Sequence, residues 1–118
     1  MKLYIYIDQF DQDELEQDII NSLSSWVGSS KGSYQLVNLR PEDHPELDCW
    51  KLGITLEIKK KIELKSPLNL LYSLAKKHKL DFVIGIIDNK SGDEEDICYF
   101  GHEEGRPDLY EIGSYLGM

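Results

Sequence analysis

Cys98 and His102 stand four residues apart in "DICYFGH", a spacing that invites a thiol nucleophile and its base. Nothing beside them orients the imidazole or lowers the thiol pKa. Cys98 lies among Ile97, Tyr99 and Phe100, so an inert cysteine in an apolar strand is the expectation. The other histidines are His44 and His78, and no two of the three stand four apart on a helix, which gives zinc little local support. "DNKSGDEED" looks like a calcium loop, but counted from Asp88 its third position is Lys90 and its fifth Gly92, where oxygen ligands are needed. A Gly-rich phosphate loop, HExxH and GxSxG are all missing. The expectation is therefore no catalytic residue, no metal and no cofactor.

What the chain has in quantity is carboxylate. In "DEEDICYFGHEEG" an apolar strand is set between Asp93, Glu94, Glu95 and Asp96 on one side and Glu103 and Glu104 on the other. Asp108 and Glu111 follow, and Tyr99, Phe100, Tyr110 and Tyr115 are interleaved. Aromatic anchors within a charged rim are what a protein–protein interface needs, because the rings supply desolvated contact and the charges speed encounter. The expected partner surface is Asp93, Glu94, Glu95, Asp96, Tyr99, His102, Glu103, Glu104, Asp108, Tyr110 and Glu111. Phe100 is assigned to the core. The competing reading is a solvated hairpin tip, the ordinary fate of surface charge. Asp11, Asp13, Glu14, Glu16 and Asp18 form a second acidic face, explained in part by the helix dipole.

The elements that position these residues follow from periodicity. "KLYIYID" puts Leu3, Ile5 and Ile7 on one side and Tyr4 and Tyr6 on the other, which suits an interior strand covered at least partly on both faces. Leu15, Ile19, Ile20, Leu23, Trp26 and Val27 make a helical stripe, with Asp11 as its N-cap and "GSSKGS" as its stop. "SYQLVNLR" is a short strand and "PEDHPELD" a loop. In "WKLGITLEIKKKIEL" the apolar residues from Trp50 to Leu64 occupy even positions, broken only at Lys60. That predicts one long strand, or two joined by a bend near Lys60. Ser66 and Pro67 open a second helix with Leu68, Leu71, Leu74 and Ala75 inward. "DFVIGIID" is a central strand, "NKSGDEED" a loop and "ICYFG" its hairpin partner. A last helix begins near Pro107, with Asp108 in its first turn and Gly117 as its stop. The order β-α-β-β-α-β-β-α predicts an α+β fold: a mostly antiparallel sheet of about five strands, split βαβ-like, with helices packed on one face.

With 118 residues, 41% apolar and 30% charged, residues 1–118 read as one globular domain. The net charge of −9 argues against nucleic acid and anionic membranes as partners and favours basic proteins. The charge is segregated: residues 51–80 carry +6, while residues 81–118 carry −8 and the first fifty −7. Two distant cysteines, and no run long enough for a signal peptide or a membrane span, point to a cytoplasmic protein, monomeric when free.

The acid-flanked tail "CYFGHEEGRPDLYEIGSYLGM", on a small acidic α+β chain, resembles bacterial immunity proteins of contact-dependent growth inhibition and related polymorphic toxin systems. The resemblance implies no catalysis of its own and tight binding to one cognate toxin domain, often a basic nuclease, with its active site or substrate path covered. The alternative is a small enzyme or ligand-binding domain with a site assembled from distant residues such as Asp8, His102 and Glu103.

Overall fold

The computed structural model describes residues 1–29 and 32–118. Five strands and three helices follow in chain order: β1 (Lys2–Ile7), α1 (Asp13–Ser29), β2 (Ser33–Leu39), β3 (Lys51–Glu57), α2 (Lys65–His78), β4 (Asp81–Ile87), β5 (Glu94–Gly101) and α3 (Leu109–Tyr115). The strands form one sheet in the order β2-β3-β1-β4-β5, every neighbouring pair antiparallel. This is the split βαβ arrangement with β5 added at one edge, an α+β fold as the element order predicts.

The core lies between the sheet and the helices. Leu3, Ile5 and Ile7 of β1, Leu52, Ile54 and Leu56 of β3, and Phe82 and Ile84 of β4 meet Ile19 and Leu23 of α1 and Leu68, Leu71, Leu74 and Ala75 of α2. α3 joins the same layer through Ile112 and Leu116. The apolar stripes read from the sequence are therefore the faces that are buried.

Boundaries differ from expectation in five places. The period-two run does not continue as strand through Leu64. After Ile58, whose N–H donates to the Met1 carbonyl at 2.9 Å, the chain turns into a 3₁₀ helix at Lys61–Leu64. The Glu63 carboxylate accepts the N–H groups of Lys59 and Lys60 at 2.6 and 2.7 Å, a local bond that competes with strand pairing. Leu64 is buried, but Ile62, expected beside it, is 58% exposed. α2 then begins at Lys65, so Ser66 is not its cap and Pro67 falls at the third helical position, where a missing N–H still costs nothing. α1 begins at Asp13, so its capping position is Gln12 and not Asp11. Of the expected helix stop, Ser30 and Lys31 lie outside the described residues. β5 begins at Glu94, three residues before the expected strand, and Asp108 is the N-cap of α3.

Candidate functional site

Among the described residues no helix packs on the sheet face away from the main core, yet Tyr4, Tyr6 and Val83 are buried on it. The cause is the pairing. Tyr4 lies opposite Gly85, so its ring can lie down over a neighbour without a side chain, and Tyr6 lies opposite Gly53, where the backbones of β1 and β3 approach closely. A Cβ on Gly85 would overlap the Tyr4 ring and the Glu95 carbonyl. The two rings stack with centroids 4.8 Å apart.

A bulge in β5 brings carboxylates to these phenols. Ile84 pairs with Cys98, but Gly85 pairs with Asp96, so Ile97 is an extra residue in β5. In a regular strand Glu94 and Asp96 would share a face with Cys98 and Phe100, because side chains alternate with period two. The inserted residue sends them to the opposite face, and bulges re-aim side chains in this way. The Tyr4 hydroxyl donates to Asp96, the Tyr6 hydroxyl donates to Glu94 Oε2 at 3.1 Å, and Lys51 Nζ donates to Glu94 Oε1 at 2.7 Å. Burial raises the Tyr4 and Tyr6 phenols above the ordinary tyrosine range, and the adjoining carboxylates push them further. A recess of about 280 Å³ opens here, with Asp8, Trp50, Lys51, Glu94 and Asp96 on its wall.

At the other end of β5 the chain makes a tight turn. Gly101 and Gly105 exchange backbone hydrogen bonds, and the His102 N–H donates to the Leu80 carbonyl at 2.9 Å. The Glu103 and Glu104 N–H groups both donate to Asp81 Oδ1 at 3.0 Å. A second cleft, of about 260 Å³, is lined by Asp8, Lys79, Asp81, Glu103 and Glu104. Burial, then Asp81 and Asp96, raise the Asp8 carboxyl. Tyr99, 44% exposed, joins the two regions: after burial, its phenol is raised by Asp96, Asp8 and Glu104.

The eleven residues of the expected partner surface therefore occupy different places. Glu94, Asp96 and Tyr99 share the open face of β5, and Glu103 and Glu104 continue from it around the turn, with His102 exposed beside them. Asp93 is in the β4–β5 turn, and Glu95 is on the helix-side face of β5, opposite Ile86. Asp108, Tyr110 and Glu111 are on α3, across the sheet edge. Asp108 Oδ1 accepts the N–H groups of Tyr110 and Glu111 at 2.9 and 3.0 Å. Glu111 accepts the Tyr115 hydroxyl at 2.8 Å, and the Lys61 ammonium sits 4.8 Å from the centre of the Tyr110 ring.

The acidic face of α1 is partly neutralised. Arg40 donates to Asp13 at 3.0 Å and to Glu16, and lies 4.0 Å over the Trp50 ring. Cys98 faces the helix layer, where burial, then Glu111, push its thiol up to about 11. It is a protonated thiol at neutral pH, without the thiolate a nucleophile needs. Asp88 Oδ1 accepts the N–H groups of Lys90 and Ser91 at 2.8 and 2.9 Å and so shapes the turn read as a failed calcium loop. Among the described residues no three His, Cys, Asp or Glu side chains are placed to hold a metal ion.

The sequence reading missed Tyr4, Tyr6, Lys51 and Asp81 as members of this face. The tyrosines carried a signal, two phenols alternating with core residues in one strand. Their partners depend on the β1–β4–β5 register, which no local pattern contains. Compared with known proteins, the chain matches no family model, no curated protein and no solved structure.

Proposed function

We propose that this chain is a binding inhibitor of the immunity-protein kind, which neutralises a cationic toxin domain by occluding its active site or substrate path. The observation that carries this reading is the continuity of Glu94, Asp96, Tyr99, Asp8, Glu103 and Glu104 along one face and one end of β5. Carboxylates there stand where the phosphates of a nucleic acid would lie on a basic nuclease. Tyr99 supplies an exposed aromatic anchor among them. Such an interface buries about 1,600 Å² in total and forms fastest at low salt. The unpaired thiols Cys49 and Cys98 fit a reducing compartment, so the proposed site of action is the cytoplasm. No helix among the described residues is long and apolar enough to cross a membrane.

The test uses a cationic toxin domain that co-purifies with this chain or is found in a neighbouring reading frame. Glu103→Lys with Glu104→Lys reverses charge while keeping the backbone bonds to Asp81. The expected result is at least a tenfold weaker complex in calorimetry at low salt and loss of protection in cells expressing the toxin. Full protection by the folded double variant removes this surface from the mechanism.

A second reading has one observation in its favour. Asp8 and Glu103, named for a possible enzyme site, do line a common cleft, and the Asp8 carboxyl is raised there. His102 does not line it. If the cleft is a ligand site, Asp8→Asn abolishes small-molecule binding while leaving toxin affinity nearly unchanged; the inhibitor reading expects weaker toxin binding from the same variant.

A further inference from the structure

The two edges of the sheet are built differently. β5 opens with Glu94, Glu95 and Asp96 and carries a bulge, devices that keep an edge strand from adding another. β2, "SYQLVNL", has no charged residue and no proline, and its seven pairs with β3 run in unbroken register from Ser33↔Glu57 to Leu39↔Lys51. Among the described residues no backbone hydrogen bond from outside the sheet reaches it. Its first half is flanked by open grooves on both faces. One, of about 770 Å³, lies toward α2 and includes Tyr34, Ile58, Ile62 and Lys65. The other, of about 450 Å³, lies on the open face and includes Gln35 and Thr55. On the helix side Trp26 of α1 packs on the Tyr34 ring, with centroids 4.4 Å apart, which leaves the outer backbone edge of β2 without a strand partner among the described residues.

We propose that β2 pairs with the β2 strand of a second copy of this chain, antiparallel about Leu36, joining two five-stranded sheets into one of ten. The occupant follows from charge. Two copies at −9 each repel over most of their surfaces, but an uncharged strand meets itself with no acids directly opposed. A cationic partner drawn to the acidic end of the molecule has no electrostatic reason to choose β2, at the opposite edge of the sheet. The antiparallel arrangement places Leu36 against Leu36 on the helix side and Gln35 against Val37 on the open face. A seven-residue strand is about 24 Å long, and a sheet-plus-helix edge about 20 Å deep gives an interface near 1,000 Å² in total, the lower end for a specific complex. The dimer is accordingly a weak one, with a dissociation constant in the micromolar range. Added salt screens the repulsion and strengthens it, the opposite of the salt response of the acidic surface with a cationic toxin. The inference thus stands or falls separately from the inhibitor reading.

The experiment is sedimentation equilibrium of the full chain from micromolar to near-millimolar concentration, at low and high salt, with circular dichroism to confirm folding. The expected result is a doubling of mass with concentration, favoured by salt, abolished by Gln35→Asp and kept by Glu95→Lys. Oxidation of a Leu36→Cys variant, with Cys49→Ser and Cys98→Ser, should give a covalent dimer. A chain monomeric throughout overturns the proposal. So does a dimer that survives Gln35→Asp or that Glu95→Lys dissolves.

Discussion

At Tyr4 and Asp96 a phenol buried on the sheet face away from the main core keeps its hydroxyl on a carboxylate. Tyr4→Phe leaves Asp96 without that donor and is expected to cost about 1.5–3 kcal/mol, the range for hydrogen bonds to charged groups, in urea denaturation. Because folding raises the Tyr4 and Tyr6 phenols, the unfolded chain loses its tyrosine protons first, near the ordinary tyrosine pKa of about 10. Above that pH the native state holds more protons than the unfolded one, so stability falls as pH rises. Below it these two groups contribute no slope. The urea midpoint should therefore fall from pH 9.5 upward, and the Tyr4→Phe/Tyr6→Phe protein should show a shallower fall. Asp8 works in the carboxylate range. Its raised carboxyl means that its ionised form is disfavoured in the fold, and the stability present below the unfolded pKa is lost as pH rises through the folded one. Asp8→Asn should therefore be more stable than the parent at pH 7 and gain nothing at pH 3. A residue that costs stability in its charged form is one a binding partner can relieve. Gly85→Ala is expected to cost about 1–3 kcal/mol or more, because the added methyl must displace the Tyr4 ring.

At the scale of elements, β5 and its bulge decide what the acidic stretch can do. Deleting Ile97 removes the extra residue and lets β5 run regularly, with Asp96 still opposite Gly85 and Glu94 still opposite Ile87 on the open face. That deletion should therefore keep the Tyr4 and Tyr6 phenols raised in an ultraviolet pH titration, whereas the Glu94→Gln/Asp96→Asn double variant, which removes the facing charges, should lower them. α3 depends on a different acid. Asp108→Ala removes the acceptor for two N–H groups and should cost about 1 kcal/mol, with faster amide exchange at Tyr110 and Glu111 as its local signature. Three of the eleven expected surface residues, Glu94, Asp96 and Asp108, thus also hold the fold together. Substitutions that probe binding are better made at Glu103 and Glu104, whose side chains have no such duty in the hydrogen-bond network described above.

Over the whole molecule, the layout separates tasks. One sheet face takes the three helices and the main core. The other carries the tyrosines and carboxylates. The two edges differ in charge, acidic at β5 and neutral at β2. The net charge of −9 repels itself in the compact state, so moderate sodium chloride should raise the urea midpoint of the isolated chain. The same salt should weaken a complex with a cationic toxin.

Local periodicity was enough to read the strands, the helical stripes, the single helical layer and the segregation of charge. Each of those is written in residues a few positions apart, and burial of an apolar face obeys the same spacing in any context. The run from Trp50 to Leu64 shows the limit: its alternation was real, but Glu63 turned the chain through a side-chain bond that periodicity does not contain. The tertiary structure alone decided that Gly85 lies beneath Tyr4, that Glu94 and Asp96 change faces at Ile97, and that Asp8 and Asp81 meet Glu103 and Glu104. These depend on the register between strands distant in sequence. A shift of one residue in that register reverses every side chain beyond it, and nothing within the strand itself records the shift.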